Sequence, residues 1–230
     1  QMCIRDSSQS SKIADEWVPI NQGQDAAFWL AVGHVILKEF YVDRNVPYFA
    51  DYLKKYADAP FLVKLEKGSN ETYRPGKLLR ASDLGEYQRL ENSEWKTLVF
   101  DLKTKRPVVP GGTIGHRWQK EKGAWNLRLK DSVTGDEIDP ALFFSKEKGV
   151  DNDASVTVTI DDYSESFDQQ ILRKVPIRYI DSASGERLIC TTVFELLLAQ
   201  YGVDRGFGGN IPSGYEDESS VFTPAWQERF

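Results

Sequence analysis

The sequence is poor in the residues that bind metals or form disulfides. Its 230 residues include two cysteines, two histidines and one methionine. Cys3 and Cys190 form no Cys-x-x-Cys pair, so neither a disulfide framework nor a thiolate zinc site is expected. His34 and His116 supply too few nitrogen ligands to complete a metal cage within the chain. A metal that is bound by nitrogen and sulfur ligands would therefore find too few of them within this chain.

The sequence also lacks segments that direct a protein into or across a membrane. Its longest apolar run, Ala26–Leu37, is interrupted by Gly33 and His34. A transmembrane helix needs about 20 predominantly apolar residues. Residues 1–11 contain no apolar stretch typical of a signal peptide. The net charge of −6 argues against general electrostatic binding of nucleic acid. We therefore expect neither direct membrane insertion nor nucleic-acid binding.

Hydrophobic periodicity predicts three helices. Ala26–Phe40 is apolar on nearly all sides, which favours burial on several faces, and Asp25 is a candidate N-cap. Pro47–Tyr56 follows, with proline in its first turn. Thr191–Tyr201 is the third helix, and the glycine directly after it is a candidate C-cap.

The centre of the chain has the features of an antiparallel β region. Turn signals recur at Pro75-Gly76, Pro110–Gly112, Thr134-Gly135 and Ser184-Gly185. Short runs between and around them are interpreted as strands: 61–65, 97–102, 124–129, 155–160 and 175–180. His116 lies here among basic and aromatic residues, and we interpret its segment as a solvated hairpin face.

The segment Ala14–Phe40 carries the pattern with the clearest chemical meaning. An extended approach leads to a polar turn, Asn21–Asp25, and then to the apolar helix. Gly23 permits close approach of a ligand to the backbone, and the amides of a helix start attract anions. The carboxylate of Asp25 can accept hydrogen bonds from N1–H and N2–H₂ of a guanine. Alternatively Asp25 only caps the helix, which is the commoner role of aspartate at this position.

This stretch resembles a feature of the molybdopterin oxidoreductases, in which a Gln-Gly-Thr-Asp type of turn precedes an alanine-rich helix. Further motifs, in matching order, are similar to respiratory nitrate reductase alpha subunits: HVILKEF (34–40), KLLRA (77–81), EWKT (94–97), GTIG (112–115), WNL (125–127), TTV (191–193) and TPAW (223–226). The resemblance implies that Gly23, Gln24 and Asp25 contact the guanine dinucleotide end of molybdenum-bis(molybdopterin guanine dinucleotide). Gln24 stands where the family usually has threonine, so a contact that needs a hydroxyl is not expected.

The resemblance also implies a domain organisation. It predicts an α/β fold, namely a fragment of a Rossmann-like molybdopterin-oxidoreductase domain with an inserted antiparallel β region. Residues 11–66 would form a cofactor-binding α/β segment, residues 67–190 the β-rich insertion, and residues 191–230 the return to the helical part of the domain. Residues 1–10 do not resemble the family and are interpreted as non-native sequence.

The implied function is nitrate reduction in anaerobic respiration. In the family, the ligands to the 4Fe-4S cluster and to molybdenum lie upstream of this window, so the isolated chain is expected to be inactive. The implied partners are the rest of the alpha subunit, an iron–sulfur beta subunit and a membrane-anchoring gamma subunit. Membrane association at the cytoplasmic face would come through those partners. Two alternatives stay open: a nitrite oxidoreductase alpha subunit, and a non-catalytic β-rich module that binds carbohydrate or protein.

Other candidate sites are assigned structural roles. A lone histidine in an apolar helix is usually a core residue with one nitrogen hydrogen-bonded, and we interpret His34 in this way. Cys190 is interpreted as a packed apolar thiol. Asp151–Asp153 resembles the start of a calcium loop, but Val156 occupies the position that requires glycine, so we exclude a calcium site.

Overall fold

The computed structural model describes residues 12–207, apart from 17, 19, 24, 69–70, 117, 120–122, 125, 145–153, 161–170 and 204. For residues 27, 114 and 171 only the backbone is described. Within these ranges the chain forms three α-helices, one π-helical segment and nine strands. The α/β class predicted from the sequence is therefore confirmed.

The helical N-terminal part of the chain begins with α1, Asp25–Ile36, which passes directly into a π-helical segment, Leu37–Asp43. Helix α2 follows at Pro47–Tyr56, with proline at its first position, where a missing amide hydrogen costs nothing. Both predicted helices are confirmed, and the bounds of the second agree with the prediction. Asp25 is the first helical residue and not the residue before the helix.

Helix α1 is much less buried than its composition predicts. Among its described side chains only Ala31 and His34 are buried, whereas Trp29 is 66% exposed and Ile36 is 40% exposed. The prediction of burial on several sides is therefore wrong for this chain. The physical reason is that few of the described elements pack against α1, so its apolar side chains meet solvent.

Helix α3 spans Val193–Gln200. The predicted start at Thr191 is too early, because Thr191 and Thr192 still pair in a strand. At the other end the amides of Gly202 and Val203 donate to carbonyls of the last turn, and Gly202 takes a φ of +68°. This arrangement is a Schellman motif, which confirms the glycine C-cap.

The nine described strands are numbered in chain order: β1 (Leu62–Lys67), β2 (Tyr73–Leu78), β3 (Val99–Asp101), β4 (Arg106–Val108), β5 (Pro110–Gly111), β6 (Arg128–Asp131), β7 (Ala154–Ile160), β8 (Ile171–Asp181) and β9 (Arg187–Thr192). Five of them close into a barrel in the order β1-β2-β7-β8-β9. Neighbours in the barrel are antiparallel, except that β2 meets β7 in parallel. The other four strands form two small antiparallel pairs, β3 with β4 and β5 with β6.

The barrel interior is filled by apolar side chains from alternate strand positions. Val158 and Ile160 of β7 pack with Val175 and Ile177 of β8 and with Leu65 of β1. Successive side chains of a strand point to opposite faces, so residues two positions apart share the interior. This alternation is why the predicted strands 155–160 and 175–180 are confirmed.

The outer face of the barrel is covered by the segment between β2 and β7. Leu79, Leu98, Phe100 and Phe144 from that segment pack in one cluster with Cys190 of β9. A separate cluster lies between α3, α2 and the π-helical segment. Cys190 is fully buried, and burial raises the pKa of its thiol to about 12, so the interpretation as a packed thiol is confirmed.

Several turn and strand predictions need correction. Pro75-Gly76 lies inside β2 and makes no turn, since the strand there pairs with β1, with an irregular register. Of the predicted strand 124–129 only residues 128–129 are in β6. The turns at Gly135 and Gly185 are confirmed, with φ of +81° and +83°.

In the described ranges no helix is both long and apolar enough to cross a bilayer.

Candidate functional site

The predicted cofactor turn lies at the exposed start of α1. Gly23 has a φ of +81°, and a side-chain carbon built there would meet no atom within 4 Å. That conformation favours glycine, and the open space leaves the backbone accessible to a ligand. Asp25 follows as the exposed first residue of the helix. Gln24 lies outside the described residues. The structure thus brings Gly23 and Asp25 together on one accessible turn.

This turn offers both hydrogen-bond donors, which attract an anion, and a carboxylate, which accepts hydrogen bonds. The amide groups at a helix start carry partial positive charge and attract anions such as phosphate. The Asp25 carboxylate is favourable in the same place because it is negative, and it can accept two hydrogen bonds from a donor pair. The turn can therefore bind a group that carries phosphate on one side and paired N–H donors on another.

Helix α1 is held at its far end by His34. Its ring Nδ1 lies 2.7 Å from the carbonyl oxygen of Tyr201, and the histidine is buried. A carbonyl oxygen only accepts, so Nδ1 carries the hydrogen and donates. Burial lowers the pKa of His34, which favours the neutral ring. The interpretation of His34 as a core residue with one nitrogen hydrogen-bonded is confirmed.

A buried ion pair that sequence reasoning missed lies beside α3. Glu195 is 2% exposed and pairs with the Arg205 guanidinium. The second carboxylate oxygen of Glu195 accepts from the amide of Phe144 at 2.8 Å. Arg205 also donates to the Phe144 carbonyl at 3.3 Å and stacks 4.7 Å from the ring centre of Phe143. The pair thus joins helix α3 to Phe144, in the segment that covers the barrel.

The sequence contained a signal for the position of Glu195 but not for its partners. Thr192 and Glu195 have the spacing of a capping box, in which the threonine accepts from the amide three residues later. That bond is formed at 3.1 Å. In a capping box the glutamate would reach back to the N-cap amide. Here its side chain instead accepts hydrogen bonds from the Phe144 amide and from Arg205, which lie 51 and 10 positions away. Spacing could reveal the cap but not these partners.

The described residues contain no group of three or more His, Cys, Asp or Glu side chains that could hold a metal ion. His116 is 1% exposed and its Nδ1 lies 3.0 Å from the amide oxygen of Gln119. The interpretation of its segment as a solvated hairpin face is therefore wrong for this side chain, since His116 is buried in a 3-10 turn. The neighbouring Trp118 is 83% exposed.

Comparison with known proteins gives a consistent result. No family model matches the chain. The chain is 41% identical over 224 residues to a nitrate reductase alpha chain of Bacillus subtilis and 42% identical over 228 residues to a nitrate reductase alpha subunit of Mycobacterium tuberculosis. It is 38% identical over 231 residues to the respiratory nitrate reductase 1 alpha chain of Escherichia coli.

These matches cover nearly all of this chain but only a small part of each relative. Each covers 97% of this chain but only 17–18% of the relative. The chain thus spans about a sixth of the length of the curated relatives it matches. The predicted resemblance to nitrate reductase alpha subunits is confirmed by these matches.

Proposed function

We propose that this chain, which matches respiratory nitrate reductase alpha chains along nearly its whole length, holds the guanine end of the molybdenum cofactor in such a subunit. The observation that supports this most directly is the accessible turn at the start of α1. Gly23 leaves space at the backbone, and Asp25 offers an exposed carboxylate beside the helix amides. The similarity to known alpha chains supplies the class of cofactor.

The residues of the turn fit a guanine nucleotide. Guanine presents N1–H and N2–H₂ side by side, and a carboxylate can accept both hydrogen bonds in a charge-assisted pair. Adenine lacks that donor pair, so Asp25 would also select the base. Gly23 lets the nucleotide approach the backbone, and the first amides of α1 face its phosphates. In Gln24 an amide takes the place of the usual threonine hydroxyl.

The chain's role in the reaction is binding and orientation. The bound cofactor supplies the oxygen-atom transfer that turns nitrate into nitrite. This chain would fix one end of that cofactor, so that its reactive part is presented from a constant position. In this proposal the iron–sulfur and molybdenum ligands come from other parts of the alpha subunit, and the isolated chain is inactive. The same turn would serve a nitrite oxidoreductase, in which the reaction runs in reverse.

We also propose the wider organisation of the subunit. Residues 11–66 and 191–230 would belong to a Rossmann-like cofactor domain, and residues 67–190 to a β-rich insertion in it. The exposed Trp29 and Ile36 suit burial against the remainder of that domain. An iron–sulfur beta subunit and a membrane-anchoring gamma subunit would complete the complex and hold it at the cytoplasmic face of the membrane.

The test is removal of the Asp25 carboxylate in a full-length alpha chain that carries this sequence. Asp25→Ala should release the cofactor during purification, so the guanine nucleotide and molybdenum bound per polypeptide both fall. Asp51→Ala removes an exposed carboxylate from α2 and serves as the matched control, with full retention expected. Full molybdenum occupancy and normal nitrate turnover in Asp25→Ala would overturn the assignment of this turn.

A further inference from the structure

The C-terminal end of α3 presents backbone acceptors that the helix itself leaves open. The Schellman motif satisfies the carbonyls of Leu198 and Ala199 through the amides of Val203 and Gly202. Tyr201 is the C-cap residue, so its carbonyl lies at the end of the helix. Such end carbonyls need a donor from outside the helix. His34 of α1 supplies it at 2.7 Å.

The residue before His34 meets the same tyrosine from another side. A side-chain carbon built on Gly33 would lie 2.3 Å from Cε1 of the Tyr201 ring and 3.0 Å from Cδ1. Real side-chain carbons essentially never come so close, so only glycine permits this contact without a shift of the ring or the helix. Gly33 and His34 therefore both hold α1 against Tyr201. Gly33 does so through its contact with the ring, and His34 through its hydrogen bond to the carbonyl.

Few other contacts hold α1. Apart from the π-helical segment that continues it, no described helix or strand makes broad contact with α1. Its buried described side chains are Ala31 and His34 alone. A helix with so little packing is oriented mainly by its specific contacts. His34 is nine positions after Asp25, which places it about 14 Å along the helix axis from the candidate turn.

We infer that His34 is a positioning residue, which fixes the direction of α1 and thereby the place of the Gly23–Asp25 turn. This inference rests on the proposed function of that turn. The hydrogen bond to Tyr201 sets the tilt at one end of a rigid helix, and the turn moves with the other end. Loss of the bond leaves a carbonyl without its donor and frees the helix to tilt. Gly23 and Asp25 then no longer keep a constant position for binding the nucleotide.

The experiment compares His34 variants in the cofactor-loaded full-length alpha chain that carries this sequence. His34→Ala removes the donor, and we expect about tenfold faster loss of guanine nucleotide from the purified protein. His34→Asn places an amide N–H near the position of Nδ1 and should restore retention. His34→Gln reaches too far and should not. Gly33→Ala should produce the loss by a steric route.

Two readouts separate positioning from general damage. Thr191→Val removes a buried hydrogen bond of 2.9 Å to the Pro176 carbonyl inside the barrel, and it should retain the cofactor fully. Hydrogen exchange of the α1 amides around His34, at the opposite end of the helix from the turn, is a readout besides cofactor content, and it should accelerate about tenfold in His34→Ala but not in Thr191→Val. Unchanged exchange of α1 in His34→Ala overturns the inference, whatever the cofactor content.

The parallel Asp25→Ala variant keeps the two proposals apart. If Asp25→Ala loses nucleotide while His34→Ala retains it, the positioning role is refuted and the cofactor turn stands. If Asp25→Ala retains nucleotide, the cofactor turn is refuted, and the positioning role falls with it. Loss in Asp25→Ala, His34→Ala and Gly33→Ala, with recovery in His34→Asn, is the expected result and supports both.

Discussion

Two buried carboxylates in different regions of the molecule are stabilised in different ways. Asp101, at the end of β3, is fully buried, and it accepts four hydrogen bonds. Three come from Lys103 and Thr104, close by in the same turn, and one from the amide of Asp139. Glu195, in α3, is equally buried but relies on the charge of Arg205 and one amide.

The difference appears in the direction of each pKa. Burial by itself raises the pKa of a carboxyl group. At Asp101 the hydrogen bonds from Asp139, Thr104 and Lys103 outweigh burial, and the pKa lies below its ordinary value. At Glu195 burial outweighs the opposing effects of Arg205 and the Phe144 amide, and the pKa is raised. The hydrogen bonds thus favour the ionised form of Asp101, whereas Arg205 and one amide do not fully offset the burial of Glu195.

The largest effect is expected from removing that cation. Arg205→Ala leaves Glu195 buried without its partner, which should lower the free energy of unfolding by about 3–5 kcal/mol. Urea unfolding of the chain, followed by tryptophan fluorescence, measures the change. Arg187→Ala removes one side of an exposed ion pair, 3.8 Å from Asp181, and should cost about 0–1 kcal/mol. Equal losses in the two variants would contradict the comparison.

A smaller effect, with a defined pH dependence, is expected at Asp101. Its folded pKa is depressed, so its ionised form stabilises the fold above the ordinary aspartate value of about 4, and this contribution is lost as pH falls through the folded pKa. Asp101→Asn should therefore cost about 1.5–3 kcal/mol at pH 7 and progressively less below pH of about 4. Urea unfolding at a series of pH values tests this.

The matched control for that series is Asp181→Asn. Asp181 ends β8 at a comparable turn, but its side chain is 82% exposed. The substitution there should change stability by less than about 0.5 kcal/mol at any pH. A cost for Asp101→Asn that stays constant from pH 7 to below its folded pKa would show that the charge of Asp101 does not matter.

The smallest effect should be a gain in the turn that Asp101 organises. Lys105 has a φ of +57°, and its amide donates to the Asp101 carbonyl at 2.9 Å. Gly135 takes the corresponding place after Asp131, with φ of +81° and open space around it. Lys105→Gly should raise the free energy of unfolding by about 0.5–1 kcal/mol, since glycine adopts this conformation without strain.

The reciprocal variant checks the cause of that gain. Gly135→Ala introduces a side chain where nothing obstructs it, so any loss comes from the backbone conformation alone. We expect a cost of about 1 kcal/mol in the same urea titration. A loss on replacing Lys105 by glycine would mean that the lysine side chain contributes more than its backbone strain costs.

Local signals in the sequence predicted elements whose causes are local. Pro47 and the apolar spacing after it gave the bounds of α2, and Gly202 gave the end of α3. Strand β2 was missed because Pro75-Gly76 is a strong local turn signal, which the pairing of β2 with β1 overrides. The barrel itself could not be predicted, because its closure depends on pairing between strands far apart in the chain.

The candidate site likewise has a local part that the sequence could predict and a distant part that it could not. The residue types of Gly23 and Asp25 indicated a nucleotide turn, and the structure places both on one accessible surface. What orients the helix behind them, the contact of Gly33 and His34 with Tyr201, joins positions more than 160 residues apart. No periodicity or spacing encodes such a contact. Burial of α1 was overestimated because composition does not reveal which surfaces find a partner within this chain.

Closure of the barrel has a consequence for the synthesis of this protein. Leu62 of β1 pairs with Thr192 of β9, 130 positions later (192 − 62). At translation rates of roughly 5–20 residues per second, β9 leaves the ribosome about 7–26 s after β1. Contacts of such high contact order form late, and until then one edge of β1 has no strand beside it. The nascent chain should therefore recruit chaperones throughout that interval and release them once β9 has docked.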